Sequence, residues 1–455
     1  MQIILLSGGT GKRLWPLSNS ARSKQFLQLL QTPDGKQKES MVQRVVRQIA
    51  ESGLATSVTV VSGAIQRDSI EIQLGDRADM VLEPERRNTF PAIALAASHL
   101  AMRKGCSRDE IIVVVPSDAY ADAEYFDTIA RMVSLAERDV ADLILMGIPP
   151  TGPSTDFGYV VPSSAIEEGY CMVQRFTEKP DAKSAEKLLE LGAYWNAGVF
   201  AFRLGYLMDI VSRYVQAGSF EELHNRYDEL PKISFDYEVA EVCESIAVVP
   251  YRGRWKDLGE WNALVEELPT TTMGNVALGD DTQDTAVINE LSLPIVCDGV
   301  KNIVVAAGHD GILVCGRESS KYIKQYIDPT HMRPMFEQRR WGTYRVLDDT
   351  RYDDGSHSLT KSLTLHPGRA ISYQKHFHRA EVWTFVEGDG LFVYDGEVRY
   401  VKAGDTVMIP IGHWHCLKAI SKLTFIEVQM GNPLVEEDIA RMDWDWSNTN
   451  LEQYK

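Results

Sequence analysis

Short apolar runs and longer mixed stretches alternate along the first 265 residues. The runs around Ile3–Leu6, Val58–Val61, Ile111–Val115, Leu143–Met146 and Val199–Phe202 predict strands. Between them, stretches such as Pro91–Arg103 and Phe126–Arg138 carry the spacing of amphipathic helices. That alternation predicts an α/β domain with a mostly parallel, Rossmann-like sheet, whose ligands sit beyond the carboxyl ends of the strands. Thr, Gly and Asp accumulate near Pro269–Gly274 and mark a boundary. Apolar stretches then recur around Ile295, Val304 and Leu313, nine residues apart, which predicts a small β-coil or an array of hairpins. A helical stretch at Ser319–Ile327 and the prolines from Pro329 to Pro334 lead into a third region. From Tyr344 onward the pattern is strand and turn alone, as in a small sandwich or barrel. The expected domains are residues 1–268, 269–334 and 335–455. The polar tail DWDWSNTNLEQYK reads as loosely ordered.

Composition narrows the function. The chain has 64 acidic and 47 basic residues and a net charge of −17. Nucleic-acid and anionic-membrane binding need a basic face, so both are disfavoured, whereas a small phosphate ligand needs only a few local cations. The six cysteines form no CxxC pair, which fits a reducing compartment and a cytoplasmic protein. The start MQIILLSGGTGKR lacks the basic lead of a signal peptide, and no apolar run approaches a membrane span.

The first strand runs into the string SGGTGKRLWPLS, residues 7–18. Gly8, Gly9 and Gly11 let backbone N–H groups approach a phosphate without interference from a Cβ, although a plain tight turn would read the same. The string is neither a P-loop nor GxGxxG. Arg13 and Lys24 add two cations suited to a triphosphate. Asp118 follows the strand Ile111–Val115, where a carboxylate can hold Mg²⁺; a turn or helix cap would use the same residue.

GGTGKRLWPLS followed by SKQFL resembles the signature of the nucleotidyltransferases that make nucleotide-sugars, and LWPLS and KQFL resemble the mannose-1-phosphate guanylyltransferase branch. Ser23 stands where that pattern has Pro, which loosens the expected loop, and Ala119 stands where it has His after Asp118. Further segments resemble the same family in order. Glu83 to Pro91 matches EPxxRNTxP, which implies roles near the base and ribose for Glu83, Arg87, Asn88 and Thr89. Phe157-Gly158-Tyr159, Phe176-Thr177-Glu178-Lys179-Pro180 and Trp195-Asn196-Ala197-Gly198 match the sugar-phosphate segments. They imply binding roles for Gly158, Tyr159, Glu178, Lys179 and Asn196. Phe235-Asp236-Tyr237-Glu238 resembles the family's DYxxxE, and Trp255 to Trp261 resembles WxDxGxW, which makes Asp257 the second Mg²⁺ carboxylate.

The third region concentrates histidines. His376 and His378 are two apart in a strand pattern and are expected on one face, with Glu381 close behind and His415 on a later strand. These are the ligand types of a divalent transition metal site, Zn²⁺ above all. The spacing resembles the two cupin motifs, and QKHFHRAEVW resembles the QxHxHRAEHW of type II phosphomannose isomerases. That resemblance implies isomerisation of mannose 6-phosphate and fructose 6-phosphate, with Arg379 facing phosphate or developing charge. Val382 replaces the second His after Glu381, which weakens the expectation of catalysis, and Ala419 replaces an Asn.

The resemblances imply an α/β nucleotidyltransferase domain, a connector resembling a left-handed β-helix and an all-β cupin barrel. They imply that GTP and mannose 1-phosphate give GDP-mannose and pyrophosphate, with Arg13, Lys24, Asp118 and Asp257 as the catalytic set. Three rivals stay open: a cupin that is only a binding or assembly module, another manno-configured sugar 1-phosphate or base, and a sensor without catalysis. A homodimer is compatible with each.

Overall fold

A computed structural model describes residues 1–9, 12–54, 57–163, 166, 168–327 and 333–448. Gly11, Pro329 and the end of the tail lie outside the described residues. The chain divides into two compact units, one of residues 1–307 and 313–327, the other of 308–312 and 328–455.

The first unit is built on β1 (Gln2–Leu6), β2 (Val58–Gly63), β3 (Asp79–Glu83), β4 (Ile111–Pro116), the short β5 (Ala119–Ala121), β6 (Leu143–Ile148), β7 (Tyr159–Pro162), β8 (Cys171–Thr177), β9 (Tyr194–Arg203), β10 (Ile246–Pro250) and β11 (Trp255–Asp257). Nine of them form one sheet in the order β3-β2-β1-β4-β9-β6-β10-β8-β7. The expected parallel arrangement holds from β3 to β4, and β10 lies parallel to β6. The other half departs from it, because β9 enters antiparallel to both β4 and β6 and β8 runs antiparallel to its neighbours. Ile3 and Leu5 face one apolar layer with α1 (Met41–Ser52), while Ile4 faces the other with α2 (Thr89–Met102). The α2 helix is not the amphipathic one its spacing suggested. It is buried from Phe90 to Leu100, and its run of Ala and Leu is apolar all round.

The connector packs into the same unit. Thr272–Met273, Ala286–Asn289 and Ile303–Gly308 stack in parallel, and Val276–Leu278 pairs with Ile295–Cys297 in a second parallel ladder. The nine-residue spacing is therefore about half a turn of coil, since Ile295 and Val304 belong to different ladders. Arg22 clamps Glu290 through two N–H···O bonds of 2.7 and 2.8 Å. The stretch expected as a helix is a run of 3₁₀ turns, Glu318–Tyr326, whose Ile323 joins Trp261 and Leu264 in the apolar cluster beneath.

The second unit is two antiparallel sheets. One contains His357–Leu365, Leu423–Gly431 and Arg379–Glu387; the other contains Asp389–Tyr394, His415–Ala419 and Tyr373–Lys375. Alternation along these strands fills the interior with Leu359, Leu365, Trp383, Phe385, Phe392, Leu417 and Phe425. Nothing in the strand pattern continues through His376 and His378, because the strand ends at Lys375 and the next begins at Arg379.

The turn leading into β11 is held by one phenol. The buried Tyr251 hydroxyl donates to Asp122 Oδ1 at 2.7 Å and lies 2.9 Å from the Arg254 carbonyl, while Asp122 Oδ2 accepts from Arg254 N. Tyr251→Phe is expected to cost about 1–2 kcal/mol, as a buried hydrogen bond with a group left unsatisfied does. The shift in urea midpoint of the first unit measures it, and an unchanged midpoint would remove this anchor.

Candidate functional site

The backbone register builds the first site. Antiparallel pairing places Asp257 of β11 opposite Ala119 of β5, hence beside Asp118. Both carboxylates close on one ammonium: Lys24 Nζ is 2.5 Å from Asp118 Oδ2 and 3.5 Å from Asp257 Oδ1. Burial opposes the charge on Lys24, but the two aspartates outweigh it and raise its pKa above the usual lysine value. Asp118 is likewise opposed by burial and held below the usual carboxylate range by Lys24. Arg13, in the helical turn Lys12–Leu14, adds its charge to both and to Glu260. Gly259 leaves room for this pairing, since a Cβ would stand 2.8 Å from Asp257 Oδ1 and 2.9 Å from Lys24 Nζ and would displace one of them. Asp257 Oδ1 is buried without a hydrogen-bond donor. Two convergent carboxylates, one of them with an oxygen that accepts no hydrogen bond, fit a hard divalent cation.

Under the glycine turn lies a buried polar cluster that sequence reading missed. Gln25 Nε2 donates to the Ser7 carbonyl at 2.5 Å, and Ser62 Oγ donates to the same carbonyl at 2.9 Å. Gln66 Nε2 donates to Ser23 Oγ and, at 3.4 Å, to the Gly9 carbonyl. Ser23 is fully buried. The loosening expected from its replacement of Pro is thus countered by a side-chain bond that ties the Lys24 segment to the glycine turn. Gly8 and Gly9 have open space where a Cβ would stand.

The EPERRNT segment is anchored rather than open. Glu83 is buried at the end of β3, accepts from the Tyr227 hydroxyl at 2.7 Å and has a pKa raised by burial. Arg87 donates to the Leu230 carbonyl and to Glu85. Asn88, at φ +78°, accepts from Thr89 N and caps α2, while Thr89 Oγ1 accepts from Phe235 N.

A third group gathers around Gly158. A Cβ there would stand 2.5 Å from Glu178 Oε2 and 3.4 Å from the Asn196 Cβ, so a side chain at 158 would push the Glu178 carboxylate from its place. Glu178 Oε1 meets Lys179 Nζ at 2.8 Å. Asn196 Nδ2 donates to Asp236 Oδ1 at 2.8 Å, its N–H donates to the Gly158 carbonyl, and its Oδ1 accepts from Gly198 N. Tyr159 is buried, and its hydroxyl pairs with the Ser154 backbone instead of facing this group. Asp236, whose carboxyl burial and Glu178 push up to about 6, completes the set, with Glu241 accepting from Glu178 N. Both were legible as the ends of DYxxxE.

In the second unit His376, Glu381 and His415 bring donor atoms within 4.8 Å of one another. The expected fourth ligand, His378, is a correction. Once the strand ends at Lys375 the alternation is lost, and His378 is exposed and paired with Asp438 at 3.0 Å. Its neighbour Arg379 turns inward, donating from Nε to Glu381 Oε1 at 2.9 Å and from a terminal nitrogen to His376 Nε2 at 3.2 Å. His376 Nδ1 faces the Asp438 carbonyl at 2.6 Å and His415 Nδ1 faces the His413 carbonyl at 3.1 Å. Carbonyls only accept, so both Nδ1 atoms carry the proton and both Nε2 lone pairs point inward. Each Nε2 lies 3.3 Å from a Glu381 oxygen, and His415 Nε2 is buried without a hydrogen bond. Arg379 already bridges His376 Nε2 and Glu381 Oε1, but the His415 Nε2 lone pair faces Glu381 Oε2 with no donor between them, and two imidazoles with one carboxylate are a donor set that fits a divalent metal. Burial lowers the His376 pKa to about 4, keeping that ring neutral. Val382 points to the opposite face of its strand, against Val428 and Met408 on neighbouring strands, and so lies outside this cluster. Glu427 and Gln429, inward on Leu423–Gly431, extend the cluster: Trp383 Nε1 donates to both Glu381 and Glu427. Burial and Glu381 push the Glu427 carboxyl up to about 7.

Known proteins carry the same two-part arrangement. Residues 2–273 match the nucleotidyl transferase family, and residues 329–444 match the mannose-6-phosphate isomerase C-terminal family. The xanthan biosynthesis protein XanB of Xanthomonas campestris is 32% identical, covering 98% of this chain and 99% of its own. The mannose-1-phosphate guanylyltransferase ManC of Salmonella typhimurium is 32% identical, covering 97% of each chain. A solved structure described as mannose-1-phosphate geranyltransferase from Thermus thermophilus superposes with a TM-score of 0.58 at 29% identity, over 71% of this chain and 97% of its own. No described helix is long and apolar enough to cross a membrane. Near-complete coverage by such relatives, on top of both domain matches, means that the chain belongs to the mannose-1-phosphate guanylyltransferase family of nucleotidyltransferases that carry a C-terminal mannose-6-phosphate isomerase domain.

Proposed function

We propose that the first unit converts GTP and mannose 1-phosphate to GDP-mannose and pyrophosphate in the cytoplasm. The observation that carries this reading is the closure of Asp118 and Asp257 on Lys24 beside the glycine turn. Glu178, Asn196 and Asp236 offer hydroxyl partners for the sugar, and Lys179 offers a point charge for its phosphate. A phosphate oxygen of the sugar phosphate forms a bond to the α-phosphorus as the bond to the leaving pyrophosphate breaks. Arg13 and Lys24 offset charge on the attacked and departing groups, and positioning does the remainder. Mg²⁺ held by Asp118 and Asp257 would neutralise phosphate charge. Gly8, Gly9 and Gly11 frame the triphosphate, with Glu83, Arg87, Asn88 and Thr89 shaping the nucleoside end.

For the second unit we propose interconversion of mannose 6-phosphate and fructose 6-phosphate. His376, Glu381 and His415 would hold zinc, which would supply Lewis acidity to substrate oxygens. Arg379 orients the triad and offsets developing negative charge. The outward placement of Val382 supports an intact site.

Three outcomes are expected. In a panel of nucleoside triphosphates and sugar 1-phosphates, GTP with mannose 1-phosphate releases pyrophosphate fastest; a better UTP, dTTP or CTP rate refutes the base. Asp118→Asn and Asp257→Asn each lower kcat on the order of 10²–10³-fold with the fold intact, and Lys24→Ala impairs triphosphate use. Near-normal turnover at saturating Mg²⁺ would remove the altered residue from the site. Purified protein takes up one equivalent of zinc per chain, lost in His415→Ala but kept in His378→Ala. A metal-loaded protein that forms no fructose 6-phosphate would leave the barrel as a binding or assembly module.

A further inference from the structure

Lys361 is a problem for its own barrel. It sits on the inward face of His357–Leu365, directly opposite Glu427, and is only 4% exposed. A lysine so deep needs a nearby anion to stay charged. Its direct ion-pair partner is not on a neighbouring strand. Glu436 belongs to the irregular segment 432–439 that follows Leu423–Gly431, and its Oε1 lies 2.8 Å from Lys361 Nζ. Half of the Glu436 side chain, 49%, is exposed, so the carboxylate stands between a buried ammonium and solvent. Arg333 also reaches it, at 3.4 Å. Burial opposes its charge, but Lys361, Arg379 and Arg333 hold it well below the usual carboxylate range.

The same segment touches the metal triad. Arg379 donates to the Val435 carbonyl at 3.4 Å and to His376 Nε2 at 3.2 Å, so one guanidinium links the segment that carries Glu436 to the triad. Asp438 accepts from His376 Nδ1 through its carbonyl, and from the Phe377 and His378 N–H groups through its carboxylate. Leu434 is buried and pins the strap to the apolar core.

We infer that Lys361, Arg379 and Arg333 form the seat for the phosphate of a hexose 6-phosphate, and that Glu436 occupies it as a built-in stand-in until substrate arrives. This rests on the isomerase reading of the barrel. A phosphate monoester carries more charge than a carboxylate and has three acceptor oxygens, so it suits three converging cations better. Glu436, whose side chain is half in solvent, can swing out as the phosphate takes its place beside Lys361.

Calorimetric titration of mannose 6-phosphate and of inorganic phosphate into the full zinc-loaded chain tests it, with circular dichroism confirming the fold of each variant. Lys361→Met should weaken both ligands at least tenfold, as loss of a charge-assisted contact does. Lys361→Arg should restore most of the affinity, and Glu436→Gln should tighten both ligands several-fold by removing the competitor. A binding event lost instead in Lys179→Met reports the transferase unit, and if that is all the phosphate binding there is, the seat is refuted. Turnover separates the two readings. Isomerisation with a KM for mannose 6-phosphate unmoved by Lys361→Met and Glu436→Gln overturns the seat and keeps the isomerase. Lys361-dependent binding without turnover under zinc, cobalt or manganese keeps the seat and overturns the isomerase.

Discussion

One half-buried ammonium held between two carboxylates governs the first unit. Burial works against the charge on Lys24, and the joint pull of Asp118 and Asp257 outweighs it. The aspartates come from distant parts of the chain, and the three-residue ladder between β5 and β11 brings them together. That ladder is too short to hold itself, so Tyr251 and Asp122 brace one end. Gly259 follows from the same constraint, because any side chain would displace the ammonium or a carboxylate. Phe157 packs on both Trp195 and Trp255, with ring centroids 4.7 and 5.7 Å away, which couples the segments around Gly158 and Asn196 to the strand bearing Asp257.

The barrel solves a related problem with more charges. Its strands carry an apolar end, Leu365 with Leu423 and Phe385 with Phe425, and a polar end, where Lys361, Glu381, Glu427 and Gln429 face inward. Every buried charge must find a partner, and the Trp383 N–H serves two carboxylates at once. A carboxyl raised to about 7 beside one held low is the mark of two acids sharing a confined field. Such a set is costly for stability alone.

Much of this was legible in the chain. The strands of the transferase core, the order of its motifs and the all-strand end follow from apolar periodicity and turn residues. What was not legible has identifiable causes. The α2 helix looked amphipathic because spacing alone cannot report that both of its sides are covered. The spacing of His376 and His378 fits one face of a strand, but the strand ends at Lys375 and the alternation does not carry through. Lys361, Glu427 and Glu436 escaped because an isolated charged residue in a strand pattern ordinarily points to solvent. Gln66 escaped because its role exists only through Ser23 and Gly9, which lie far from it in sequence.

The two departures from the family pattern show why residue identity is a weaker guide than constraint. Proline before the family lysine restricts the backbone on its own; Ser23 cannot, yet its buried hydroxyl is held by Gln66, which also reaches the Gly9 carbonyl. The loop is tied by a side-chain bond in place of a ring. Val382 replaces a histidine beside a metal-ligating type of residue, which in sequence looks like the loss of a ligand. In the sheet it lies one residue out of phase with Glu381, and alternation turns it to the opposite face. Ser23 sits in the buried loop before Lys24 and is held there by a side-chain partner; Val382 is next to Glu381 in sequence and on the other face of the strand in space. Only the first has a partner to answer for it, and that partner is the test of whether the site as a whole has been kept.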